Sequence, residues 1–128
     1  MLQTEDAIPG EDAIAGTRAA VPAGAALVIV QGFFEGLEVP IDRDRVVVGR
    51  GKGSDLVLPE PTISRAHAAV GYDADTQSFF VEDLESTNGT YVNGAQIGHC
   101  RLKSDDQLQM GKLLIRFTLA RGFMNNPG

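Results

Sequence analysis

From residue 25 onward, short apolar segments alternate with clusters of turn-forming residues. Residues 27–30 form a continuous apolar run, whereas residues 66–72 alternate between larger apolar and small or polar side chains. Asn93 and Gly94 lie between two such segments, and two-residue hairpin turns favour this pair. About nine short strands, with turns about every 8–12 residues and no sustained helical periodicity, predict an all-β antiparallel sandwich.

The first part of the chain has a different composition. Residues 1–24 are rich in alanine, glycine and acidic residues and have neither strand nor helix periodicity. A segment with few large apolar side chains cannot bury enough surface to order itself, so we predict a flexible acidic N-terminal tail. The sequence therefore predicts a folded domain over residues 25–120, followed by a C-terminal tail or linker over residues 121–128.

Length and cysteine content restrict the class of protein. The 128 residues are enough for one domain with its own core. No apolar run approaches the roughly 20 residues of a membrane helix, and the first residues lack the pattern of a secretory signal. Cys100 is the single cysteine, which excludes an internal disulfide and favours a reducing, cytoplasmic location.

The net charge of −6 argues against a nucleic-acid or anionic-membrane partner, since either would require a basic surface. The charge is nevertheless uneven along the chain. Five basic residues cluster in its middle: Arg43, Arg45, Arg50, Lys52 and Arg65. A locally basic region on an acidic domain is sufficient to hold a small anion at short range.

Three polar clusters interrupt the predicted strands, at residues 49–50, 64–67 and 86–90. They supply Arg50 and Arg65, several hydroxyls and an amide on loops, and such loops can converge at one end of a β scaffold. A guanidinium with hydroxyl and amide donors suits a phosphate dianion through charge-assisted hydrogen bonds. Since no general base or metal-binding set accompanies them, the clusters predict a receptor for phosphate rather than a catalyst.

Other chemistries fit the sequence less well. A nucleotide-binding loop ending at Lys52 would require glycine at position 46 and serine or threonine at position 53, where Val46 and Gly53 stand. The histidines and the cysteine are too few for a metal site, and we expect no metal and no cofactor. Ser64 and His67 are the best candidates for a nucleophile and its base, but no orienting residue or oxyanion motif accompanies them.

These motifs resemble the forkhead-associated (FHA) domain over about residues 25–120. The resemblance rests on four motifs in order: Gly49-Arg50, Ser64-Arg65-Ala66-His67, Asn88-Gly89 and Asn93-Gly94. The longer string over residues 83–94, DLESTNGTYVNG, is specific to that pattern. The resemblance implies an eleven-stranded SMAD/FHA-like β-sandwich whose loops at one end bind phosphothreonine peptides.

The resemblance also implies roles for single residues. Arg50 would be the main charged phosphate ligand, and Ser64 would donate its hydroxyl. Arg65 would contribute its backbone N–H, and its side chain is a further candidate contact. Thr87 would add a phosphate contact, and Asn88 would hold the peptide main chain.

Four further residues are implied to support the site. Gly49 and Gly89 would allow tight backbone conformations, and His67 would brace the Ser64 loop through hydrogen bonds. Asn93 would form the hairpin turn that supports the Asn88 loop.

The sequence therefore predicts a non-enzymatic module that binds Thr-phosphorylated proteins made by a Ser/Thr kinase. A phosphate-independent scaffold domain, binding its partner through a sheet face or edge, is the alternative. Thr4 and Thr17 in the tail raise a further hypothesis, in which the phosphorylated tail binds the same site in cis or in a second copy.

Overall fold

Two β-sheets face each other across one apolar core. The computed structural model describes residues 21–32 and 34–120. These residues form eleven strands: β1 Ala25–Gln31, β2 Glu38–Pro40, β3 Arg45–Gly49, β4 Leu56–Val57, β5 Ala68–Asp73, β6 Ser78–Asp83, β7 Thr90–Val92, β8 Ala95–Ile97, β9 His99–Leu102, β10 Gln107–Met110 and β11 Leu113–Leu119. Within the described ranges, no helix has the length and apolar character that crossing a membrane requires. The predicted all-β, eleven-stranded sandwich is confirmed.

One sheet has five strands in the order β9-β6-β5-β3-β4, and the other has six in the order β2-β1-β11-β10-β7-β8. One strand pair departs from the predicted antiparallel arrangement, because β3 and β4 are parallel. A turn closed by the hydrogen bond from Ser54 N–H to the Gly51 carbonyl brings the chain back beside β3. There Asp55 N–H donates to the Val47 carbonyl, and β4 then proceeds in the direction of β3.

The core forms because alternate residues of each strand point between the sheets. Val48, Val81 and Ile115 come from three different strands and are fully buried. Phe79 joins the two layers, since its ring lies 4.9 Å from that of Tyr72 and 5.3 Å from that of Phe117. Burying each such side chain contributes about 1.5–3 kcal/mol, and the resulting core holds the strand ends, and so the loops, in fixed positions.

The strand directions bring the polar loops to one end of the sandwich. Val48, Ala68 and Asp83 are register partners across β3, β5 and β6. The end of β3, the start of β5 and the end of β6 therefore lie side by side. The connections over residues 50–55, 58–67 and 84–89 all leave from this end, as the sequence predicts.

The predicted Asn93–Gly94 hairpin is confirmed, since β7 and β8 pair directly across it. Both residues have positive φ, 50° and 89°, which is the backbone that asparagine and glycine accept most readily. Asn93 donates to the Asp106 carboxylate at 2.9 Å and accepts from Gln107 N–H at 3.0 Å. Its side chain thus ties the hairpin to the β9–β10 loop, at the other end of β7 from Asn88.

The predicted division into tail, domain and C-terminal segment stays a prediction. Residues 1–20 and 121–128, with Thr4 and Thr17, lie outside the described residues.

Candidate functional site

A cleft of about 130 Å³ opens at the loop end of the sandwich. Four of the five residues predicted to bind a phosphopeptide line it, together with the three residues that precede Ser64 in sequence. The full lining is Arg50, Pro61, Thr62, Ile63, Ser64, Thr87 and Asn88. The three loops, which are far apart in sequence, therefore meet at one cleft, as the predicted phosphate receptor requires.

Arg50 enters the cleft directly from the end of β3. Its backbone N–H donates to the Ser64 carbonyl at 3.0 Å, and its Nε donates to the Ile63 carbonyl at 2.9 Å. These two bonds fix the backbone of Arg50 and its side chain as far as Nε. Within the described part of the chain, the terminal guanidinium nitrogens have no hydrogen-bond acceptor, so they remain available for an anion.

Ser64 is held in place by backbone hydrogen bonds to Arg50 and His67 and by a contact from the loop that carries Thr87. Its Oγ accepts a hydrogen bond from Thr87 N–H at 2.9 Å. Because the oxygen is already an acceptor, its own proton is free to be donated to an anion, and the incoming N–H bond strengthens that donation. The contact also fixes the Thr87 backbone beside Ser64.

His67 is fully buried beneath these loops. Its Nδ1 accepts from Ser64 N–H at 3.1 Å, so the proton is on Nε2, which donates to the Gly89 carbonyl at 2.9 Å. The predicted bracing role agrees with this geometry, which links the Ser64 loop to the Asn88 loop. Both ring nitrogens bind backbone groups and not the Ser64 hydroxyl, so the candidate nucleophile and base pair is not assembled.

Asn88 and the two predicted glycines complete the loop geometry. Asn88 donates its amide N–H to the Thr62 carbonyl at 2.9 Å, while its side chain stays exposed. Gly89 has φ +87°, and a Cβ there would lie 2.9 Å from Gln96 Nε2. At Gly49 a Cβ would collide with the Arg65 carbonyl oxygen, so only glycine lets β3 approach this loop.

Asp83 supports the Asn88 loop from below, a role that the sequence does not predict. Its Oδ1 accepts from the hydroxyls of Ser86 at 2.6 Å and Thr90 at 2.7 Å. Ser86 Oγ in turn accepts from Gly89 N–H at 2.9 Å. Burial of the carboxyl opposes its ionisation, but the hydrogen bonds from Ser86 and Thr90 outweigh burial and lower the pKa of Asp83 below its ordinary value.

Asp83→Asn is expected to lower the free energy of unfolding by about 1–3 kcal/mol at pH 7, because charge-assisted bonds to both hydroxyls are lost. The pKa of Asp83 is lowered in the folded state, so its contribution is complete above the ordinary aspartate pKa of about 3.9. That contribution disappears as pH falls through the lowered value. Urea unfolding of parent and variant at pH 7 and pH 3 should show the difference narrowing at pH 3, and a constant or wider difference would contradict this role.

Thr62 is a second residue whose role the sequence does not predict. Its Oγ1 donates to the Glu60 carboxylate at 2.8 Å and accepts from Lys112 N–H at 2.9 Å. Hydrogen bonds from Thr62 N–H and from its hydroxyl, with the nearby Lys112 charge, lower the pKa of Glu60. Since the Thr62 carbonyl also accepts from Asn88, this residue joins the β10–β11 turn to the cleft. No short motif marks this residue in the sequence, because its partners Lys112 and Asn88 lie 50 and 26 residues later in the chain.

Arg65 is the one predicted ligand that does not line the cleft. Its side chain lines a neighbouring depression with Lys52. Its carbonyl accepts from Gly51 N–H at 3.0 Å and from Ser54 Oγ at 2.9 Å. Its backbone N–H has no acceptor within the described residues, which leaves the predicted backbone contact to a ligand open.

The chemistry of the cleft is that of an anion receptor. It combines one guanidinium, three hydroxyls and an amide, and no carboxylate is among the described residues that line it. No group of three or more His, Cys, Asp or Glu side chains among residues 21–32 and 34–120 is arranged to hold a metal ion. The fold and the cleft thus define a β-sandwich with an arginine-based anion site on its loops.

Both the sequence and the fold match known proteins. The model of the FHA domain matches residues 46–111. The glycogen accumulation regulator GarA of Mycobacterium tuberculosis is 34% identical over 107 residues, which is 84% of this chain and 65% of GarA. The oxoglutarate dehydrogenase inhibitor of Corynebacterium diphtheriae is 34% identical over 118 residues, covering 91% of this chain and 81% of the inhibitor.

A solved FHA domain, studied for phosphothreonine-dependent interactions, superposes with a TM-score of 0.68. It is 28% identical, and the match covers 76% of this chain and 97% of that domain. The chain belongs to the FHA-domain family, which confirms the resemblance found in its motifs. The match spans just under two thirds of the length of GarA.

Proposed function

We propose that this chain is a phosphothreonine-peptide-binding module that recruits Thr-phosphorylated proteins in Ser/Thr-kinase signalling and has no catalytic activity of its own. The observation that carries the proposal is the convergence of Arg50, Ser64, Thr87 and Asn88 on one cleft of about 130 Å³. FHA domains recognise phosphorylated motifs through arginine side chains.

In this proposal the charged group dominates binding. Arg50 pairs its free guanidinium nitrogens with the phosphate oxygens, and Ser64 donates its hydroxyl to the same group. Thr87 adds a further contact from the exposed rim of the cleft. Each hydrogen bond to a charged group contributes about 1.5–3 kcal/mol, so an unphosphorylated peptide should not bind measurably.

Asn88 and Arg65 serve the peptide backbone in this proposal. The Asn88 side chain is exposed and uses one amide N–H on Thr62, so its carbonyl oxygen and second N–H are available for main-chain groups. The Arg65 N–H, which has no acceptor within the described residues, supplies a further backbone donor.

The names of the relatives support a regulatory role for a binding module. GarA is named a regulator of glycogen accumulation, and the corynebacterial relative is named an inhibitor of oxoglutarate dehydrogenase. We propose by analogy that this chain also acts by binding a protein partner in the cytoplasm. A phosphate-independent scaffold domain remains the alternative. Binding measured with and without the phosphate distinguishes the scaffold from the phosphothreonine module.

The direct test is calorimetry with a degenerate phosphothreonine peptide library and its dephosphorylated copy. We expect binding of the phosphorylated pool alone. In a separate pull-down, the chain should no longer capture its protein partner after the partner has been treated with phosphatase. Replacing phosphothreonine by phosphoserine removes one methyl group and should weaken binding about 4- to 160-fold, since a methyl contributes about 0.8 to 3 kcal/mol in a shaped pocket. Equal capture before and after phosphatase would support the scaffold instead.

A further inference from the structure

A second depression, of about 440 Å³, lies beside the phosphate cleft and has no role in the site described above. It is bounded by Val47, by the turn after β3 and by the Arg65–Ala66 segment. The full lining is Val47, Gly51, Lys52, Gly53, Ser54, Arg65 and Ala66. We call this depression the rim pocket.

The rim pocket and the phosphate cleft share one wall. The wall consists of two backbone hydrogen bonds of 3.0 Å each, from Arg50 N–H to the Ser64 carbonyl and from Gly51 N–H to the Arg65 carbonyl. Arg50 and Ser64 line the cleft on one side, whereas Gly51 and Arg65 line the rim pocket on the other. A ligand that fills the cleft therefore passes directly beside the rim pocket.

The charge of the rim pocket is entirely positive. Lys52 and Arg65 are its charged lining residues, both exposed, and neither forms an ion pair with any described residue. Asp55 follows the pocket in sequence, but its carboxylate is engaged by Val47 N–H at 2.8 Å and by Arg43 at 3.7 Å. Two cations are thus left beside each other without a counter-charge from the described chain.

The backbone of the rim pocket adds fixed donors. The turn from Gly51 to Ser54 is closed by a 3.0 Å hydrogen bond, and Ser54 Oγ holds the Arg65 carbonyl at 2.9 Å. The N–H groups of Lys52 and Gly53, at the tip of this turn, have no acceptor among the described residues. Successive free N–H groups in a turn form a concave site that favours an anion.

We propose that the rim pocket is a second anion subsite, which binds a further anionic group on the same phosphothreonine peptide. The group is a carboxylate side chain or a second phosphoryl group, because both match a lysine, an arginine and backbone N–H donors. This proposal rests on the proposed function, since the phosphothreonine must first occupy the cleft. Lys52 is then a specificity residue that selects among phosphothreonine sequences.

The shared wall limits where the second anion lies in the peptide. An extended chain advances about 3.3 Å per residue, so adjacent pockets correspond to a separation of about two to four residues. Both cations are exposed, so the gain in affinity should be modest and sensitive to salt.

The test uses the full chain and a set of otherwise neutral peptides. The reference peptide carries one phosphothreonine, and the others add aspartate, glutamate or a second phosphothreonine at each of the four positions on either side. Affinities are measured by fluorescence polarisation at low and high salt for the parent, Lys52→Gln and Lys103→Gln. Lys103 is an exposed lysine that follows β9 at the other end of the sandwich, and it serves as the matched control.

For the parent we expect one or two positions at which an added anion tightens binding by about 3- to 10-fold at low salt, and less at high salt. Lys52→Gln should lose most of this gain while binding the reference peptide within about twofold, and Lys103→Gln should behave as the parent. A gain from carboxylates and phosphothreonine alike, or from phosphothreonine alone, identifies the source of the anion.

Two results would overturn the subsite while leaving the proposed function intact: no position yields a gain, or the gain persists in Lys52→Gln. If the reference peptide binds no better than its unphosphorylated copy, the proposed function fails, and the subsite fails with it.

Discussion

Arg50→Ala is expected to weaken phosphothreonine-peptide binding by at least about 100-fold, which is about 2.7 kcal/mol. The variant removes the one guanidinium that lines the cleft, and with it two or more charge-assisted hydrogen bonds to the phosphate. Isothermal titration with one phosphothreonine peptide measures the loss. Arg50→Lys keeps the charge but not the planar donor pair, so it should recover only part of the affinity.

The same variant should remain folded. Arg50 is exposed, and its side chain makes one hydrogen bond, from Nε to the Ile63 carbonyl. Losing that bond costs at most about 1.5–3 kcal/mol in the free energy of unfolding, because an exposed side chain makes it. Parent-like affinity in folded Arg50→Ala would show that Arg50 is not the main phosphate ligand.

His67→Ala is expected to lower the free energy of unfolding by about 4 kcal/mol, the largest loss of stability among the changes considered. The ring is fully buried, so its removal leaves a cavity and leaves Ser64 N–H and the Gly89 carbonyl without their partner. The Ser64 and Asn88 loops lose their link at the same time. Urea unfolding measures the stability, and titration of the folded fraction should find weaker phosphopeptide binding.

His99→Ala is the matched control for this prediction. His99 is exposed and stacks on Phe80 with a centroid distance of 5.3 Å, so its removal should cost about 1 kcal/mol or less. Equal losses in the two variants would mean that His67 has no special bracing role.

The sequence predicted the class of fold and most of the cleft because both depend on local signals. Alternating apolar residues and the Asn93–Gly94 pair identify strands and a hairpin without any knowledge of distant contacts. The motifs around Arg50, Ser64 and Asn88 carry their own spacing, and the structure places all three residues on one cleft. The register of the strands makes this convergence possible.

Other features could not be predicted, because they depend on contacts between distant parts of the chain. Thr62 acquires its role from Lys112, 50 residues later, and from Asn88, 26 residues later. The parallel pairing of β4 depends on a turn that returns the chain to Val47. The resemblance implies a phosphopeptide contact for Arg65, but its side chain lines the neighbouring depression and not the cleft.

The decisive measurement is a crystal structure of the chain with a phosphothreonine peptide. We expect one phosphoryl group in the cleft, with its oxygens within about 3.2 Å of the Arg50 guanidinium and of Ser64 Oγ. A phosphoryl group bound on another face, with Arg50 and Ser64 both free of it, would show that this cleft is not the phosphate site.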